Sequence, residues 1–194
     1  MNNTGLTRRE CLRRVLILSV HFTRNLGYLR GANRDRSGWA EPPHHSTANF
    51  CIVACNNSLD ICVLEWCKLF GDDKARPKSW GEHYWGSIVS DPSKFEGELL
   101  QHLNIDATAF EAYRIEMRKY RDKFVAHLDS DLRGDIPSLD LAQQSVEFYY
   151  DYIVMNEAQR NDLAHLPDNV TILRCGYDES EQEAIRAYAK LAAN

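Results

Sequence analysis

Apolar residues recur along this chain at helical spacing, and no stretch sustains the alternation of a half-buried strand. The pattern predicts a first helix over about Thr7 to Leu29, with Leu12, Leu16, Val20 (or Ser19) and Leu26 inward and its end at Gly27 or Gly31. After the polar stretch RGANRDRSGWAEPPHH, a second helix runs from about Ser46 to Phe70, capped by Ser46 or Thr47 and stopped by Gly71. Its apolar positions wrap widely around it, the mark of a buried central helix. The next segment, GDDKARPKSWGEHYWGSIVSDP, holds too many breakers for a long helix and too many aromatics for a loose linker, so it reads as an ordered loop on the core. Asp91 before Pro92 opens a short helix to about Leu103, and Asp106 caps a longer one from Ala107 to about Leu128. Ser138 opens SLDLAQQSVEFYYDYIVMNEAQR, whose Leu141, Val146, Tyr149, Tyr150 and Ile153 form a packed face. Only LAHLPDNVTILRCG has β character; it reads as an extended arm before a last helix, capped by Asp178 or Ser180, that reaches Ala193.

These elements make an all-α fold, an up-and-down helical bundle of four to five main helices with a C-terminal extension. Residues 1–160 are expected to form the bundle domain, and residues 161–194 an extension whose terminal helix packs on the same domain. A chain of 194 residues, 44% hydrophobic and 26% charged, suffices for one sizeable core and is globular in composition. The longest aliphatic run, Val15 to Leu18, falls far short of the roughly 20 residues that cross a bilayer, so no membrane span and no signal peptide is read. Cys51, Cys55 and Cys62 fall at i, i+4 and i+11, one stripe of a helix, where free cysteine acts as a small hydrophobe. A reduced, cytoplasmic protein follows. With no CxxC pair, and with His44 and His45 in a loop, no metal or cofactor is expected. The net charge of −5 argues against a protein coated in nucleic acid, yet residues 1–36 carry eight arginines against Glu10 and Asp35, so a local basic face remains.

Chemistry concentrates in YRDKFVAHLDSD, Tyr120 to Asp131. On the helix leading into it, Tyr113, Met117, Tyr120, Phe124 and His127 form an apolar stripe, and Arg114, Arg118 and Arg121 form a second stripe beside it. Read as plain structure, His127 is a core-edge histidine near a helix C-terminus and the arginines are solvated. Read as chemistry, the arginine row faces a phosphate. Arg121 and His127 are six residues apart, about 120° out of alignment on a helix turning about 100° per residue. They meet only if the helix ends between them, or if a two-fold axis brings a second copy alongside. Trp80, His83 and Trp85 in SWGEHYW either stack a base or plug the core.

The spacing Arg121-Asp122-x4-His127 resembles the R-x(4–6)-H motif of the HEPN (higher eukaryotes and prokaryotes nucleotide-binding) superfamily, all-α domains many of which are metal-independent ribonucleases. With the flanking NNSLDICVLEWCKLFG and IPSLDLAQQSVEFYYDYI, it looks more narrowly like the AbiU-type branch linked to phage abortive infection, over about Ser46 to Ile153. The resemblance implies a homodimeric endoribonuclease, a toxin or defence effector with RNA as substrate, an antitoxin or other protein as partner, and no membrane. It implies His127 as acid and base toward the ribose 2′-hydroxyl and the leaving oxygen, Arg121 as phosphate clamp, and Asp122 as the polar helper that orients one of them. Lys123, Arg118 and Arg114 are the cations expected to bind the substrate, Lys123 on the separate ground that it shares a helix face with His127. The alternative is a non-catalytic helical binding module for a protein partner, a nucleotide or RNA within a toxin–antitoxin or defence system. Asp129, Asp131 and Asp135 favour it, because carboxylates at the exit of the motif repel RNA unless they face away or pair with Arg133.

Overall fold

A computed structural model describes residues 7–34, 46–71, 85–126 and 136–192. Among them the chain is all-α, with no strand. The helices are α1 (Arg8–Asn33), α2 (Ser46–Trp66), α3 (Trp85–Ile88), α4 (Pro92–Leu103), α5 (Ala107–Tyr120), α6 (Leu139–Tyr152) and α7 (Val170–Ala192). Three of them widen at the C-terminus into a π-helical turn: Cys67–Gly71 after α2, Arg121–Ala126 after α5 and Ile153–Glu157 after α6.

The starts obey local chemistry. Thr7 and Glu10 form a capping box on α1, the Thr7 N–H donating to Glu10 Oε2 at 2.7 Å. Asp91 accepts from the Lys94 N–H with Pro92 at the first position of α4, and Asp106 accepts from the Ala109 N–H at 2.7 Å. Asn104 closes α4 in the left-handed conformation, φ 53°, that an asparagine tolerates.

Side-chain pairs fix the directions. Cys55 reaches Asn33 while Cys62 reaches the Phe22 carbonyl, so α2 runs antiparallel to α1. Arg114 lies level with Phe70 and Tyr120 with Asp60, so α5 runs antiparallel to α2. Arg30 meets Asp140 and Arg8 meets Glu157, so α6 runs antiparallel to α1. The result is an up-and-down bundle of α1, α2, α5 and α6. Its core is aromatic: Trp66 lies 5.1 Å from Tyr113 and 5.3 Å from Phe70, while Phe95 of α4 lies 4.9 Å from both Tyr149 and Tyr152. Trp85 belongs to the same cluster, 1% exposed against Phe70, Phe95 and Phe110, so of its two expected roles it takes that of core plug. Trp80 and His83 lie outside the described residues.

The structure corrects the sequence at two places. Residues 170–173 are not an extended arm: Asn169 Oδ1 accepts from the Ile172 N–H at 2.9 Å, and α7 starts there, with Asp178 and Ser180 inside it. Nor does α1 end at Gly27 or Gly31. Both lie within it, because α7 runs parallel to α1 and closes on them: a Cβ on Gly27 would stand 2.6 Å from the Tyr177 carbonyl oxygen, and one on Gly31 would overlap the Glu181 carbonyl and Ala184. Burying α7 against this flat strip outweighs the roughly 1 kcal/mol by which a mid-helix glycine weakens a helix. Gly31→Ala is therefore expected to destabilise the fold by about 1–3 kcal/mol, as overpacking does, despite alanine's better helix propensity. Urea unfolding checks it, and a gain in stability would show that α7 can lift without cost.

Helix α2 is apolar around most of its circumference. Its stretch Phe50–Gly71, with mean hydropathy 1.3, is long and apolar enough by length and composition to cross a membrane, although 44% of it is buried inside the bundle. One such helix also fits the core helix of a bundle. Cys51, Cys55, Cys62 and Cys67 are buried on its inner side, packing as small hydrophobes, and burial pushes the Cys62 thiol far up from its ordinary pKa.

Candidate functional site

The arginine row on α5 divides in two when built from its neighbours. Arg114 is 5% exposed, and its Nε donates to the Phe70 carbonyl at 2.7 Å, capping the end of α2. One of its terminal nitrogens donates to Glu111 at 2.8 Å, and the guanidinium lies 5.5 Å over the Trp85 ring. Arg118 follows it one turn on, donating to the Gly71 carbonyl at 3.2 Å and to the other Glu111 oxygen at 2.9 Å. The expected arginine face is thus in part a clamp: α2 ends against α5, and two guanidiniums satisfy its last carbonyls with Glu111 as shared counter-ion. The pairing of Glu111 with Arg114 at i, i+3 was legible in the sequence; the carbonyls were not.

Arg121 differs. It opens the π-helical turn, and its Nε donates to Asp122 Oδ1 at 2.8 Å. The Asp122 side chain is 53% exposed and that of Arg121 20%, so the carboxylate stands at the surface and the guanidinium stem is mostly covered. Lys123 extends over the Phe124 ring at 5.3 Å, and Phe124 lies 5.0 Å from Tyr120. The Tyr120 hydroxyl donates to Asp60 Oδ1 of α2 at 3.2 Å. Burial pushes the Asp60 carboxyl up while this hydrogen bond pulls it down; burial pushes the Tyr120 phenol up to about 12, and Asp60 pushes the same way. Asp60 and Tyr120 thereby tie the turn to α2. Sequence reasoning did not single out Asp60, although it is the only charged residue between Phe50 and Leu64, and that isolation was its signal.

Comparison of the chain with protein-family models, with curated proteins and with solved structures returns no match.

Residues 121–126 are π-helical, with i→i+5 bonding and a wider turn, in place of the regular helix on which the offset of about 120° between Arg121 and His127 was reckoned. His127 lies outside the described residues, as do Asp129, Asp131, Arg133 and Asp135. Of the six residues singled out in the sequence, the structure brings Arg121, Asp122 and Lys123 together on one turn, and sets Arg114 and Arg118 against the end of α2. Among the described residues no three His, Cys, Asp or Glu side chains are grouped to hold a metal ion.

Chemically, the turn offers an arginine fork whose orientation a carboxylate fixes, a lysine beside it and an aromatic pair beneath. Guanidinium and ammonium groups are the side chains that commonly hold phosphate oxygens without a metal.

Proposed function

We propose that the chain is a HEPN-type, metal-independent endoribonuclease, a toxin or phage-defence effector that cleaves RNA by attack of a ribose 2′-hydroxyl on its own phosphate, at a site composed across a homodimer. The observation that carries the reading is the Arg121–Asp122 pair, its carboxylate exposed, on a π-helical turn pinned to α2 through Tyr120 and Asp60. In this reading Arg121 stabilises charge on the phosphorane-like transition state, and Asp122 holds its guanidinium in register. Lys123 adds electrostatic attraction for the backbone. His127 moves the proton, a role that rests on the resemblance of the motif. The effector role and an antitoxin or other protein partner rest on the same resemblance; the cytoplasmic setting rests on the cysteines, whose buried thiols on α2 suit a reducing compartment.

The test is RNA cleavage by purified protein in excess EDTA. His127→Ala and Arg121→Ala are each expected to lower the rate by about 10²–10⁴-fold while helix content by circular dichroism is retained. Cleavage that persists in both variants sinks the reading.

One observation favours the non-catalytic alternative, a helical module that binds a protein partner, a nucleotide or RNA. Arg114 and Arg118 are engaged with Glu111 and the end of α2, which leaves a narrower cationic surface than the sequence suggested. Under that reading RNA or a partner binds with intact affinity to the His127→Ala protein and no product forms with either.

A further inference from the structure

The glycine strip that joins α1 to α7 does not run the whole length of their contact. Thr23 and Val20 precede Gly27 by four and seven residues, so they continue the same line on α1 toward its start. There side chains take the place of hydrogen, and a cleft of about 160 Å³ opens between the two helices. Such a space suits a ring or a branched aliphatic group, since a cavity of about 150 Å³ takes up benzene.

The cleft has an apolar end and a polar end. Because α7 runs parallel to α1, Val20, Pro167, Ile172 and Leu173 lie toward the helix starts, and Thr23, Arg24 and Glu179 lie toward the Gly27 contact. Thr23 is 3% exposed, yet its hydroxyl has no hydrogen-bond partner among the described residues. A helical hydroxyl commonly returns to the carbonyl one turn back, as that of Ser19 does to Val15 at 2.9 Å. The Thr23 hydroxyl does not, and a buried polar group left in this way calls for a partner from within the cleft. Arg24 and Glu179 stand exposed at the mouth. Neither forms an ion pair or a side-chain hydrogen bond, with the other or with any described residue.

We propose that this cleft binds a free α-amino acid with an apolar side chain. The ligand side chain enters the end formed by Val20, Pro167, Ile172 and Leu173. Its carboxylate accepts from the Thr23 hydroxyl and the Arg24 guanidinium, and its ammonium donates to the Glu179 carboxylate. Charge selects the zwitterion over its relatives: a plain carboxylic acid would face Glu179 across the mouth, and a plain amine would face Arg24. Bound between α1 and α7, the ligand holds the two helices together and stabilises the fold by mass action. The site is independent of the ribonuclease reading, because no residue of α2, α5 or the Arg121–Ala126 turn lines it.

Cys175 supplies the readout. It lines the cleft, and of the six cysteines it alone is exposed. Its alkylation by iodoacetamide, followed by mass spectrometry, therefore reports occupancy. L-phenylalanine or L-leucine at about 10 mM is expected to slow that reaction about 10-fold, as a dissociation constant of about 1 mM dictates. At the same concentration 3-phenylpropanoate, which lacks the ammonium, and phenethylamine, which lacks the carboxylate, are each expected to slow it by no more than about 2-fold.

Two variants, titrated with L-phenylalanine by calorimetry, complete the test. Arg24→Ala is expected to weaken binding about 10-fold. Gly176 forms part of the α7 wall, and a Cβ there meets nothing within 4 Å. Gly176→Leu therefore fills the cleft without a clash; it is expected to abolish binding while leucine's better helix propensity keeps the thermal midpoint from falling. Failure of both amino acids to protect Cys175, equal protection by 3-phenylpropanoate or phenethylamine, or undiminished binding by either variant each overturns the proposal.

Discussion

Replacing Arg114 with alanine is expected to destabilise the protein by about 3 kcal/mol, whereas Arg121→Ala changes stability by less than about 1 kcal/mol. The two arginines are two turns apart on one helix row and differ in what surrounds them. The Arg114 side chain is 7% exposed, and its Nε serves the buried carbonyl of Phe70. Truncation strands that acceptor, which costs about 1–3 kcal/mol, and uncovers the face of Trp85, worth up to about 2 kcal/mol for a desolvated cation over a ring. Arg114→Lys should recover little, since a single ammonium cannot serve the carbonyl and Glu111 from one planar fork. Arg121 pairs with Asp122, whose carboxylate is half exposed to water, and a pair so screened contributes about 0–1 kcal/mol. Urea unfolding of the three variants separates these cases. An Arg114→Ala protein with wild-type stability and reduced RNA binding would return Arg114 to the substrate side.

Trp66→Ala is expected to cost about 3–5 kcal/mol, enough to take much of the stability of a single domain. Trp66 is fully buried where α2 meets α5 and α6, in ring contact with Phe70, Phe110 and Tyr113. Its indole Nε1 donates to Ser145 Oγ at 2.9 Å, and the same hydroxyl donates to the Ala142 carbonyl at 2.8 Å. Trp66→Phe keeps most of the ring contact and removes the donor, so it isolates the hydrogen bond at about 1 kcal/mol. The difference between the two midpoints in urea measures packing against hydrogen bonding, and near-equal losses would mean that the hydrogen bond dominates.

Local signals carried most of the helix boundaries. Thr7, Asp91, Asp106 and Ser138 lie where a side-chain oxygen next to the first apolar repeat predicts a helix start, and each accepts a backbone N–H there. The errors came where a local preference met a stronger tertiary gain. Val170, Thr171 and Ile172 have strand propensity but open α7, because Asn169 caps it and its inner side buries Leu173 and Ala184. Gly27 and Gly31 read as stops but serve as the contact strip for that helix.

The candidate site divides along the same line. Its composition, Arg121, Asp122 and Lys123 in consecutive positions, is given by the sequence, as is the all-α class, because covalent order and periodicity are local properties. Which arginines of the row serve the end of α2 was decided only in three dimensions. Arg114 and Arg118 are drawn to the unsatisfied carbonyls where α2 ends, 44 and 47 positions away in sequence. The widening of α5 into a π-helical turn, its tie to Asp60 and the uncovered side of α2 likewise depend on how helices distant in sequence pack, which no helical wheel contains.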